Sequence, residues 1–339
     1  MRVSIADIRP ASATEWDEIW DACDYATYFH SREWAEIWNV YTEGKMYPDP
    51  KLIVFNDGKE ALLPLSCQKG LKGLAKNYIS SPAGTYGGWI STDDMDADHA
   101  APVVEFLTKK LGNILWRINP HDESIRKIGL QIGAYDETQV LRLEEGFEEI
   151  YKTWTNGHRS AANKASGAGV LVRPATALEE WKMYYQVYED SLRRWKDRAT
   201  SRYHWTIFQE MFRRKSSNIR LWLAIFQGKV IAGAINFHAK RHIAGWHLAT
   251  LEEHFSLRPA NLLMREVIKN ACEQKYSVFD FNPSGGHEGV KKFKSGFGAE
   301  TLPCPVVRVE AKPARFLKKI NKIKKNIIEA IKIYRPGGA

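Results

Sequence analysis

The residues best suited to chemistry cluster between positions 278 and 300, VFDFNPSGGHEGVKKFKSGFGAE. Lys291, Lys292 and Lys294 surround Phe293, with glycines at 285, 286, 289, 296 and 298. Glycines let backbone approach a bound group closely, and ammonium groups attract an anion. The stretch therefore points to an anionic ligand or to a reaction that develops negative charge. The alternative is a β-hairpin at a sheet edge with a solvated basic strand. Lys294 is the leading cationic candidate, and Lys292 shares its face if the segment is a strand. Asp280 sits among Val278, Phe279 and Phe281, so its carboxylate must face water or be hydrogen-bonded inside. Tying down the glycine turn suits it better than proton abstraction. His247 and His287 complete the set of candidate bases. His238, His242 and His247 do not share one strand face, and no Cys or carboxylate pattern joins them, which argues against a metal site.

The elements that must position these residues follow from periodicity and turn chemistry. Residues 14–41 read as two amphipathic helices with N-caps at Thr14 and Ser31. Residues 51–68 form a hairpin around Asn56-Asp57-Gly58-Lys59. The glycine-rich stretch 78–90 is a strand bending close to other backbone. A helix over 98–111 and strands over 114–118 and 139–143 follow. Residues 155–169 are either a linker or a helix start carrying Arg159 and Lys164. Beyond them come a strand at 170–172, helices over 178–194 and 203–215, a three-stranded meander over 220–250, and a helix over 260–274 entered through Pro259. Residues 277–281 and 306–309 are strands.

Composition is that of an ordinary globular protein, and 339 residues suit two domains. No run of eighteen apolar residues predicts a membrane span. The start, MRVSIADIRPASATEW, lacks the apolar core of a secretion signal, so a cytoplasmic location is expected. The four cysteines are scattered without a C-x-x-C pair, which fits reduced thiols. Charge is concentrated at one end: residues 311–339 carry nine basic residues against Glu329 alone, a net of +8 out of the chain's +9. The body is close to neutral, so its charge gives no reason to expect DNA binding. Phe316, Ile320, Ile323, Ile327, Ile331 and Tyr334 recur at three- and four-residue steps, making 313–334 a basic amphipathic helix. Such a helix lies on an anionic membrane surface, peripheral to its inner face, or packs its apolar stripe on protein.

The chain also repeats itself. Asn56-Asp57-Gly58-Lys59 parallels Phe226-Gln227-Gly228-Lys229, Ser31-Arg32 parallels Ser201-Arg202, and Asn119-Pro120 parallels Asn282-Pro283. Each half reads helix, helix, hairpin, strand, helix, strand, Asn-Pro, a degenerate duplication of one α/β unit. After Asn119-Pro120 the first copy lacks both the glycines and the Lys-Phe-Lys segment. The second copy is then the working one.

With that element order, DFNPS followed by GVKKFKSGFGAE resembles the closing motif of the Fem-type (FemAB-like, BioF2-like) branch of the GNAT acyltransferases. YFHSREWAEIW, SPAGTYGGWI and HRSAANKASGAGVLV fit the same resemblance, which covers most of residues 20–310. It implies an α/β fold of tandem GNAT-like domains, each a mixed, mainly antiparallel sheet flanked by helices. The expected divisions are a platform at 1–154, a catalytic domain at 155–310 and the helical tail at 311–339. The implied activity is N-acyl transfer to an amino group of a cell-envelope sugar or peptidoglycan-type precursor. Phe293 and Lys294 fall at the branch's Phe-Lys pair, with Asp280 and His247 as further catalytic candidates. Ser284, Gly289, Trp246, Lys292, Arg258 and Asn261 are expected around the donor. Arg194, Trp195, Arg159 and Lys164 are expected near a nucleotide- or lipid-linked glycan. The backbone around Gly245 and Trp246–Leu248 is the expected oxyanion site. Two features depart from the family: there is no long helical-hairpin insertion, as tRNA-dependent members often have, and no Q/R-x-x-G-x-G/A pyrophosphate loop. The donor, acyl-CoA or aminoacyl-tRNA, stays open at this point, as does a non-catalytic module that docks on membranes.

Overall fold

A computed structural model describes residues 2–70, 75–122, 136–199 and 201–309. The amphipathic tail expected at 311–339 lies outside the described residues. The first half runs β1 (Ile5–Pro10), α1 (Ala13–Ala22), α2 (Arg32–Tyr41), β2 (Met46–Pro48), β3 (Lys51–Phe55), β4 (Glu60–Leu63), β5 (Ser66–Gly70), β6 (Ala75–Ile79), α3 (Ala97–Glu105), β7 (Asn113–Arg117), β8 (Glu137–Arg142) and α4 (Phe147–Thr153). The second runs α5 (Asn156–Gly167), β9 (Leu171–Pro174), α6 (Leu178–Trp195), α7 (Trp205–Arg213), β10 (Ile219–Phe226), β11 (Lys229–Ala239), β12 (His242–Thr250), α8 (Pro259–Glu273), β13 (Val278–Asp280), α9 (Glu288–Ser295), β14 (Glu300–Pro303) and β15 (Val306–Val309).

Most of the expected elements are present, and the exceptions have local causes. The first helix starts two residues early. Ser12 Oγ accepts from Glu15 N at 3.2 Å while the Glu15 carboxylate accepts from Ser12 N at 2.7 Å, a reciprocal cap that Thr14 cannot make from inside the turn. Ser31 caps α2 as expected. Residues 155–169 resolve into the helix α5, capped by Thr155. The larger correction is α9. The Lys-Phe-Lys segment is a helix that turns Phe293 and Lys294 inward, with Phe297, just past its end, buried in the same core.

Described strands form a three-stranded sheet (β1-β3-β4), a five-stranded sheet (β15-β7-β6-β5-β2) and a seven-stranded sheet (β14-β8-β13-β12-β11-β10-β9). In each half a helix crosses between two parallel strands: α3 joins β6 to β7, and α8 joins β12 to β13. The halves also exchange strands. β8, which precedes the division expected at 154/155, pairs with β13 and β14, and β15 pairs with β7. One aromatic core spans both halves: Tyr28 stacks on Phe237 at 4.5 Å, and Trp34 meets Phe237 and Trp246 at 5.0 and 5.8 Å. Each such side chain contributes about 2–3 kcal/mol by leaving water, so the halves are not independent. No described helix is long and apolar enough to cross a membrane.

Candidate active site

β12 and β13 part company in the middle of the large sheet. Their parallel ladder pairs His242–Ala244 with Val278–Asp280 and stops, while β12 continues to Thr250. On the other side Ile235 faces His247 and Asn236 faces Gly245, leaving Trp246 as the extra residue of a bulge. The split opens into a cleft of about 1350 Å³. Its walls include residues 245–250, the turn at 282–285, the start of α9, the end of α6 and Trp38 and Tyr41 of α2. That volume exceeds the usual range for one small ligand, as a site holding donor and acceptor together requires.

Asn282 holds the split in shape. It adopts the left-handed conformation (φ 60°), which Asn tolerates better than other non-glycine residues. Its Nδ2 donates to Gly245 O at 2.9 Å, bridging the parted strands. Its carbonyl accepts from Lys294 Nζ at 2.6 Å. Lys294 is 8% exposed and still lines the cleft. Burial pulls its ammonium down to about 8, against an upward pull from Asp280 and Asp136. Phe293 lines the cleft beside it, packed on Phe297 at 5.0 Å.

The other candidates sort themselves by geometry. Asp280 is buried, and each carboxylate oxygen accepts two hydrogen bonds. Oδ1 accepts from Thr138 Oγ1 (2.6 Å) and Asn282 N (2.7 Å), while Oδ2 accepts from His121 Nε2 (3.0 Å) and Tyr86 Oη. Burial would raise its pKa, but His121, Thr138 and Tyr86 outweigh that and lower it. A carboxylate so engaged is a structural anchor and not a free base. His247 lines the cleft with Nδ1 bonded to the Tyr184 hydroxyl, and burial drops its pKa to about 4. Tyr184 Oη has no other partner among the described residues, so it donates to Nδ1. The neutral ring then carries its proton on Nε2, as a donor and not a base. His287 lines the cleft against Trp195 at 4.9 Å and makes no side-chain hydrogen bond among the described residues.

Ser284, Gly289, Trp246, Arg194 and Trp195 also line the cleft. Ser284 Oγ donates to Gln139 Oε1 at 3.1 Å. Arg194 is largely spoken for: it lies over the Phe255 ring at 4.5 Å, reaches Thr250 O at 3.5 Å and pairs with Asp190 at 3.6 Å. Lys292 is exposed and off the cleft, because two residues along a helix turn to nearly the opposite side. Arg159 and Lys164 lie on α5 away from the cleft walls, Arg159 donating to Lys152 O at 3.2 Å. Arg258 is exposed at the left-handed entry to α8, and Asn261 is buried in that helix's first turn. Neither lines the cleft.

Sequence reasoning passed over Tyr86, His121 and Thr138, which reach Asp280 from the other half of the chain. It also passed over His158, whose Nε2 donates to Phe293 O at 2.9 Å and braces α9. At Gly296 a Cβ would collide with the His158 ring, and at Gly298 (φ 79°) with Thr153. These two glycines therefore serve helix packing, whereas composition alone had suggested an anion.

The second half matches the family model for an acetyltransferase (GNAT) domain over residues 155–295. Residues 155–295 are a GNAT-type acetyltransferase domain. The GNAT domain makes the chain an acyltransferase, in a superfamily that generally uses acyl-CoA. Among solved structures, FemX is similar over 88% of this chain and 96% of its own, at 12% identity and a TM-score of 0.67. The C-terminal domain of a putative lysylphosphatidylglycerol synthetase from Agrobacterium fabrum is similar over 92% and 97%, at 12% identity and 0.56. L-PGS from Bacillus licheniformis is similar over 91% and 96%, at 10% identity and 0.53. These likenesses establish the fold, tandem GNAT-like domains consistent with the FemAB-like branch. No curated protein matches the sequence. No group of His, Cys, Asp and Glu among the described residues could hold a metal ion.

Proposed function

We propose that the chain transfers an acyl or aminoacyl group to an amino group of a cell-envelope sugar or peptidoglycan-type precursor. The observation that carries this reading is the buried Lys294, aimed along the strand split by Asn282 O. A neutral acceptor amine attacks the donor carbonyl, a C–N bond forms, and the C–S or C–O bond to the leaving group breaks. Negative charge collects on the carbonyl oxygen between these events. Lys294 supplies a fixed positive charge there, and the parted main chain of residues 246–248 and His247 Nε2–H line the same space. The ammonium's surplus proton passes to the departing sulfur or oxygen or to water, with His287 and Glu288 among the side-chain acceptors lining the cleft. Trp195 and Arg194 flank the acceptor's path, and residues 313–334 would bring the enzyme to an anionic membrane that holds a lipid-linked acceptor.

An aminoacyl donor is the second reading. It is favoured by the whole-length likeness to a lysylphosphatidylglycerol synthetase domain, whose name describes lysyl transfer to a lipid. A thermal-shift screen of acyl-CoAs, aminoacyl-tRNAs and nucleotide sugars identifies the ligands through the stabilisation each confers. RNase-sensitive turnover would select the aminoacyl donor. Undiminished turnover by Lys294→Ala would sink both readings, and lipid binding without any turnover would leave a docking module.

A further inference from the structure

We propose that Tyr86 and His121 are positioning residues through which the first half of the chain sets the geometry of Lys294 in the second. Three of the four donors to Asp280 come from residues before 154: Tyr86, His121 and Thr138. The fourth is the main-chain N–H of Asn282. A carboxylate only accepts, so His121 Nε2 and Tyr86 Oη are both donors, and together they saturate Oδ2. This leaves Oδ1 turned toward Thr138 and Asn282. The bond to Asn282 N, two residues on, pins a backbone conformation that non-glycine residues seldom adopt. That conformation points Asn282 O at Lys294 Nζ and Asn282 Nδ2 at Gly245 O.

His121 is itself placed by the paired turn. Its main-chain N–H donates to Asn119 Oδ1 at 3.1 Å, and Asn119 Nδ2 donates to Tyr25 O at 3.2 Å. Its ring lies on His242 at 4.5 Å, and burial holds His242 far down in pKa, so that neighbour is neutral. The relay therefore runs from Asn119 to His121, Asp280, Asn282 and Lys294, with Tyr86 joining at Asp280. Asn119, Tyr86 and Asp280 are buried and the His121 side chain is 5% exposed, so water is a poor substitute for a donor lost at Asp280.

The inference rests on the proposed role of Lys294, but it is tested without turnover, so the two can fail separately. The full-length chain is trace-labelled with acetic anhydride and each lysine is read by mass spectrometry. Exposed Lys109 sets the scale, and Lys51, 19% exposed in the first half, reports general loosening. Tyr86→Phe and His121→Leu are expected to raise Lys294 labelling several-fold relative to Lys109 while Lys51 stays unchanged. His121→Gln, which keeps an N–H donor, is expected to restore most of the protection. Unchanged labelling of Lys294 in Tyr86→Phe overturns the proposal. So does a parallel rise at Lys51, since that describes a loosened protein and not a released lysine. Tyr86→Phe removes a single oxygen, so it decides the matter even where His121→Leu does not fold.

Discussion

The two parallel crossovers, β6-α3-β7 and β12-α8-β13, share one frame and treat their polar groups in opposite ways. At the entry to α3, the Asp96 carboxylate accepts from Asp98 N and His99 N, so the helix carries its own anion. At the entry to α8, Arg258 occupies the cap position with no side-chain hydrogen bond, followed by Pro259. At the exits, Asn119-Pro120 leads to a buried histidine, whereas Asn282-Pro283 opens onto the cleft. The first half caps its crossover helix from within and sends three donors, Tyr86, His121 and Thr138, to Asp280. The second leaves a helix end open and a lysine desolvated. On the proposal above, the half without the Lys-Phe-Lys segment contributes through the geometry it imposes on its neighbour.

The largest expected effect breaks the second half alone. Lys294→Ala should lower turnover by about 10²–10³-fold, the usual loss when a preorganised charge is removed from a developing oxyanion. Lys294→Met should be equally inactive and at least as stable in urea, because a buried unpaired cation costs free energy that an apolar side chain does not. An inactive but destabilised Lys294→Met would assign the lysine to the fold.

The same residue predicts opposite responses of activity and stability to pH. Burial lowers the Lys294 ammonium from its ordinary 10.5 to about 8. Between those values the unfolded chain binds the proton and the folded one does not, so stability rises with pH across that window. The gain is on the order of 3 kcal/mol and is absent below pH 8. Activity depends on the charged form and should fall as pH passes about 8. Urea denaturation and rate profiles measured together test this, and Lys294→Met should lose the stability slope.

Replacing the paired asparagines compares the turns directly. Asn282→Ala and Asn119→Ala each remove buried hydrogen bonds and should cost about 1–3 kcal/mol in denaturant unfolding. Only Asn282→Ala should lose most of its turnover at a temperature where both proteins are folded, since only its side chain spans the strand split. Equal losses would mean that both turns serve the site in the same way.

The helix entries differ by a smaller amount. With a phosphate-bearing donor, Arg258→Glu should weaken donor binding by about 1 kcal/mol, more at low salt, as read by calorimetry. Asp96→Ala should leave donor binding alone and cost about 1 kcal/mol of stability through its lost cap. A donor unaffected by Arg258→Glu would place the phosphates elsewhere.

Much of this frame was legible in the sequence because it rests on local periodicity. The hairpins, the crossover helices and the two Asn-Pro turns are short-range patterns. α9 was misread because Lys-Phe-Lys imitates a two-residue repeat, and so short a helix, with Lys294 turned inward, shows no apolar stripe of its own. The network at Asp280 was illegible for another reason. Tyr86 and His121 are 194 and 159 residues away from it. Nothing local marks either as a donor to a carboxylate in the other half. Position after the paired turn was the one available signal for His121.

The smallest predicted effect concerns the internal capping of α3. His99 is buried at the start of α3, with Nδ1 2.6 Å from Asp96 and Nε2 2.8 Å from Asp57. Two carboxylates leave both ring nitrogens as donors, which is the imidazolium form. Burial pulls its pKa down, but the hydrogen bonds to Asp57 and Asp96 outweigh it and the net shift is upward. A raised folded-state pKa stabilises fully below the unfolded value near 6.5 and loses that stabilisation as pH rises through the folded value. Both carboxylates are substantially exposed, so the loss should be under about 1 kcal/mol. Hydrogen exchange of α3 amides should show faster opening above neutral pH, and His99→Gln should abolish the trend. The slope has the opposite sign to that of Lys294, so the two halves can be told apart by pH alone. Exchange that slowed with pH in α3, after correction for the intrinsic rate, would show that His99 does not act as a buried cation.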